Sequence, residues 1–147
     1  YEKQIIKQQY GDINMSIQEV CKNVYFEVQG AIAVAVVDLS TGLLLDVYHQ
    51  VPHFDQTYID AVSAAAVDMF RGRTVSTVET LLSQKRNQSA SHSIKEIQMT
   101  TEGTFHFMAI VPENPDALAI LITTKRTSLG MGWSAVRRAL PEIAKFC

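Results

Sequence analysis

The apolar positions along the chain change period several times, and each change marks an element. Ile17, Val20, Cys21, Val24 and Val28 recur at i, i+3, i+4, i+7 and i+11, which predicts a helix over 16–28. Ser16 and Glu19 supply an S-x-x-E capping box, Met15 and Val20 occupy the positions of a hydrophobic staple, and Gly30 follows where a left-handed residue commonly ends a helix. Upstream, residues 1–14 offer only Ile5, Ile6 and Tyr10 as anchors and read as an arm or short helix. "AIAVAVVD" and "LLLDVY" flank "LSTG", the pattern of two strands joined by a tight turn in which Gly42 takes positive φ. In the first of these strands Ala31, Ala33 and Ala35 fall on one face and Ile32, Val34 and Val36 on the other. Neither face is polar, so both require cover and the strand belongs inside a sheet.

A second helix is predicted over 55–70, with Asp55 as N-cap, Phe54 stapled to Ile59, and Ile59, Val62, Ala66, Met69 and Phe70 on its buried face. A further S-x-x-E, Ser76 to Glu79, leads into Val78, Leu81 and Leu82. A straight helix from 55 to 86 would be roughly 48 Å long, so a break near Gly72 is expected. The polar "KRNQSASHS" then connects to three strand-like runs, Ile94–Thr100, Thr104–Val111 and Ala117–Thr124, separated by the turn sequences "TEG" and "PENPD". The run from Ala117 is apolar on both faces, whereas Lys95, Glu96 and Gln98 give the first run the character of an edge strand.

The last periodic stretch begins at Ser128, read as an N-cap, and sets Leu129, Trp133, Val136, Leu140 and Ile143 along one stripe. Pro141 removes one interior hydrogen bond and predicts a kink or an end at Leu140. The implied order is α-β-β-α-β-β-β-α: an α+β domain over 15–147 in which a five-stranded antiparallel sheet carries helices on both faces.

Gly130, Gly132 and Ala135 match G-x-G-x-x-A, the spacing of a dinucleotide-binding turn. That reading needs a second parallel strand after the helix, and the 15 residues that follow Gly132 supply none. The two glycines are read instead as allowing the first helical turn to lie close to the sheet, and no cofactor is expected. Asp46, His49, His53 and Asp55 form a local group of metal-type ligands, but Pro52 disfavours a helix that would align the imidazoles, so no metal is expected. Ser91 and His92 alternate in direction on an extended chain and lack a nucleophile elbow, and His106 reads as a strand surface residue, so no catalytic residue is assigned. Arg71 with Arg73, and Arg137 with Arg138, are basic pairs able to meet a phosphate on a partner.

The 147 residues are 47% hydrophobic and 19% charged, enough for one core, and the formal charge of -2 is dispersed. Neither nucleic acid nor an anionic membrane surface is implied as a partner. The longest apolar run, Ala31 to Val37, is far short of the roughly 20 residues of a membrane span. Cys21 and Cys147 are too few for a disulfide framework, which fits a reducing, cytoplasmic setting.

"GAIAVAVVDLSTGLLLDVY" resembles the first hairpin of the roadblock (dynein light chain) domain, and "SLGMGWSAVRRALPEI" resembles its closing helix, with Ser128 where that family often has Asn. The likeness spans residues 15–144, and the stretch from Arg71 to Ser91 is longer than the family's usual connection. The resemblance implies a roadblock/profilin-like fold and a non-enzymatic homodimer, of the bacterial GTPase-regulator type, that binds a Ras-like small GTPase or acts as a scaffold in a motility complex. It also implies pairing through the middle helix and the third strand, which points to Ala61, Ala64, Ala65, Val67, Ile94, Glu96 and Gln98 as the dimer interface; the basic pair Arg71 and Arg73 is read as the partner surface. A sensory or ligand-binding module of similar shape is the alternative and requires a cavity beside Trp133 and Phe107.

Overall fold

The computed structural model describes residues 16–87 and 91–147. The expected arm over 1–14 and the Met15 half of the first staple lie outside the described residues. Helix α1 (Ile17–Glu27) leads into β1 (Ala31–Asp38) and β2 (Leu43–His49); α2 (Gln56–Arg71) and α3 (Arg73–Arg86) follow; β3 (Glu96–Thr100), β4 (Thr104–Val111) and β5 (Asn114–Thr124) complete the sheet before α4 (Leu129–Ala144). All strand pairs are antiparallel, in the order β2-β1-β5-β4-β3. The alanine-rich β1 and the doubly apolar β5 are therefore interior, and the polar β3 is an edge, as their side chains predict.

The caps read from the sequence are formed. Ser16 Oγ accepts from Glu19 N at 3.2 Å, Asp55 from Tyr58 N at 2.9 Å and Ser128 Oγ from Met131 N at 3.2 Å. Gly30 and Gly42 take φ of +92° and +74°, conformations that carry a steric penalty for any residue with a Cβ. Asp38 tightens the β1–β2 turn by accepting from Ser40 N and from the hydroxyls of Ser40 and Thr41.

The sheet divides the core in two. On one face α1 and α4 cover Val34, Val36, Phe107, Ala109 and Leu121. On the other, Ala66 and Phe70 of α2 cover Ala33, Val37, Met108, Leu118 and Ile120. The predicted alternation of β1 breaks at its start, because a register irregularity between Ala31 and Ala33 turns Ala31 toward the α1/α4 cluster and Ile32 toward the α2 cluster.

Other expectations are corrected. The helix after Gly72 starts at Arg73, so Ser76 and Glu79 lie inside it and form no capping box. "PENPD" is not all turn: Val111 pairs with Asn114, and β5 includes Pro115 beside a register irregularity, where a missing N–H is tolerated. Strand β3 begins at Glu96 rather than Ile94. Helix α4 does not end at Leu140, because Pro141 costs a single bond while buried Leu140 and Ile143 hold the last turn against the sheet. Leu129, one turn ahead of the buried stripe, is 44% exposed because that cover ends before it. His106 is half-buried rather than a surface residue; its Nε2 lies 3.0 Å from Thr104 Oγ1, and burial lowers its pKa.

Candidate interaction surface

Helix α2 buries Ser63, Ala66 and Phe70, and the Ser63 hydroxyl donates to Ile59 O, so its polar atom is satisfied under the helix. The outer side is set by the same period: Ala61, Ala64, Ala65 and Asp68, at i, i+3, i+4 and i+7, are all exposed. Val67 is half-buried and packs into the α2-side cluster. Small side chains leave the helix backbone open to close approach along that stripe.

Strand β3 presents the second part of the surface. Ile110 N donates to Lys95 O at 2.9 Å, and Thr101 N to Thr104 O at 2.9 Å. In an antiparallel ladder alternate residues turn their backbone groups to the neighbour, so Lys95, Ile97, Met99 and Thr101 face β4, and Glu96, Gln98 and Thr100 direct theirs outward. Edge β2 differs. Its residue Val47 has its N–H held by Asp46 Oδ1 at 3.0 Å, and a bulge displaces Leu45. Ile94, Ile97 and Met99 of the β3 segment pack into the same cluster as Val67, so α2 and the apolar side chains of β3 cover the same face of the sheet, while the open backbone groups of β3 point outward in its plane. The Glu96 side chain lies on the opposite side, paired with Arg137 of α4 at 2.9 Å.

Several solved structures share this fold. MglB of Myxococcus xanthus superposes with a TM-score of 0.66 at 19% identity over 88% of this chain and 92% of that one. MglC of the same organism gives 0.57 at 19% identity over 89% and 98%. A Roadblock/LC7 domain from Streptomyces avermitilis gives 0.66 at 9% identity over 89% and 97%. The chain has the roadblock fold. No family model and no curated protein matches its sequence.

Within this roadblock fold, most of the remaining candidates are held by local partners. Arg71 Nη2 donates to Pro115 O at 2.6 Å, tying the end of α2 to the start of β5, while Nη1 is buried without an acceptor. Arg73 is exposed. Arg138 pairs with Glu27 of α1, and Arg137 lies over the Trp133 ring. His49 and His53 each pack against Phe54, which stacks on Tyr58 at 4.6 Å, and His49 Nδ1 accepts from Val51 N. Among the described residues no group of three or more His, Cys, Asp or Glu is placed to hold a metal, and no helix is long and apolar enough to cross a membrane. The space beside Phe107 is filled by the backbone of Gly132 and by the edge-on indole of Trp133.

Glu79 has a role that its spacing does not announce. It is buried on α3, and its Oε2 accepts from Ser93 N at 2.6 Å and from Ser93 Oγ at 2.8 Å. The Ser93 N–H, then its hydroxyl and the charges of His92 and Arg71, hold the carboxyl below its usual range against the opposing cost of desolvation. A signal was present: Glu79 stands at i+4 from Val75 and three before Leu82, on the inner stripe of its helix.

Proposed function

We propose that the protein is a non-enzymatic regulator or scaffold that works as a homodimer in the cytoplasm and engages a Ras-like small GTPase or a motility complex. Residues 15–147 act as one unit in this reading. The observation that carries it is the open backbone edge of β3 in a sheet whose α2 face also carries an exposed alanine stripe, in a chain with the roadblock fold. Two copies related by a twofold axis can join β3 to β3 and complete each other's outward backbone groups, while Ala61, Ala64 and Ala65 let the helices approach. Val67 and Ile94 then extend the shared apolar layer, and Glu96 and Gln98 contribute backbone bonds at the seam. Arg73, exposed at the α2–α3 junction, is the charge offered to the partner, with Arg71 beside it anchored on Pro115 O. In this reading the module acts by repositioning the partner's machinery rather than by chemistry of its own.

The test is oligomeric state followed by hydrolysis. Light scattering of the wild type should give a dimer, and Ala64→Glu a monomer; a wild type that is monomeric at high concentration removes the pairing. A Ras-like GTPase encoded beside the gene should change its hydrolysis rate on mixing, less so with Arg73→Glu.

A further inference from the structure

Helix α3 is weakly seated. Its buried residue is Glu79, with Val75, Leu82 and Ser83 half-buried and Val78 and Leu81 more than half exposed. The hydroxyls of Thr77, Thr80 and Ser83 donate back to the helix's own carbonyls at Arg73, Ser76 and Glu79. Glu79 is also the one charged side chain buried among the described residues. A carboxylate withdrawn from water is costly unless its acceptors are used. Here one oxygen takes both the backbone N–H and the hydroxyl of Ser93, 14 positions along the chain.

Ser93 stands just ahead of the edge strand. Two residues later Lys95 O accepts a backbone bond from Ile110 N of β4, and Lys95 Nζ returns to His92 O at 3.0 Å. The outward groups of Glu96, Gln98 and Thr100 begin immediately beyond. The anchor thus fixes the chain at the point where the open edge starts.

We infer that Glu79 is a positioning residue for the interaction edge: by holding Ser93 it sets where β3 is presented to a second copy of this chain. The inference rests on the pairing proposed above for its consequence in assembly, but the local effect on β3 does not. Glu79→Gln keeps a carbonyl oxygen as acceptor and retains most of the function; Glu79→Ala removes it.

Amide exchange and sedimentation, read together on the full chain, test this. In Glu79→Ala, exchange at Ile97 and Met99 should quicken about tenfold or more while Leu118 and Ile120 stay as in the wild type, because an edge opens locally before the central strands do. The dimer should dissociate at about tenfold higher concentration, and Glu79→Gln should recover most of both effects. Unchanged exchange at Ile97 and Met99 would overturn the assignment, and so would an equal rise at Leu118 and Ile120, which would mark Glu79 as a general stabiliser. A monomeric wild type with quickened β3 exchange in Glu79→Ala would sink the pairing and leave the positioning of β3 standing.

Discussion

The ring of Phe107 occupies the place where a side chain on residue 132 would begin: a Cβ on Gly132 would come within 2.2 Å of Phe107 Cζ. Phe107 is fully buried and meets Trp133 edge-on at 5.4 Å, so it has no free direction in which to yield. Gly132→Ala should therefore lower stability by about 1–3 kcal/mol, the cost of overpacking a filled core. Urea unfolding measures it. A neutral result would mean that α4 can lift from β4.

Ser128→Ala removes the acceptor of the Met131 N–H at the start of α4 and should cost about 1 kcal/mol. Ser128→Asp, which keeps an acceptor and adds charge at the helix N-terminus, should restore wild-type stability in the same denaturation measurement.

His106 gives stability a pH slope. Burial holds its imidazole below the ordinary value of 6.5, so the folded protein keeps the ring neutral where the unfolded chain begins to protonate. The contribution is complete above the unfolded value and is lost as pH falls through the folded one. Wild type should accordingly lose stability more steeply than His106→Gln between pH 7 and pH 5. Parallel slopes in denaturation at the two pH values would show that the ring titrates alike in both states.

The two thiols should differ in reactivity. Cys21 is fully buried, and desolvation, with the charge of Asp46, pushes its thiol up to about 12. Cys147 is exposed, although partial burial raises its thiol as well. A disulfide reagent should label one cysteine slowly in the native protein and the second only on unfolding, and Cys147→Ser should abolish native labelling.

The elements were legible where local chemistry and tertiary packing agree. Ser16, Asp55 and Ser128 announce their helices, and the apolar faces of β1 and β5 announce interior strands. Gly132 is legible as a close approach, though Phe107 as its neighbour is not. The misreadings have a common cause, in that a residue suited to a local role was recruited by a distant one. Glu79 has the spacing of a capping box and bonds Ser93 instead; Pro115 has the look of a turn and stands in a strand. Arg71 reads as free surface, and its guanidinium is partly committed to the carbonyl of Pro115. The proposed surface was legible only in part. The composition of β3 marks an edge, but which of its backbone groups face outward depends on the bonds of Lys95 and Thr101 to β4.

Strand β5 is the third of five across the sheet and the last of the five to leave the ribosome. Ala31 pairs with Thr123 and Asp38 with Ala117, so the first hairpin stays half-unsatisfied until β5 has been made. Such distant closure slows folding. During synthesis the alanine and valine rows of β1 therefore wait for β5, which makes this strand the one most exposed to wrong pairing while the domain is incomplete.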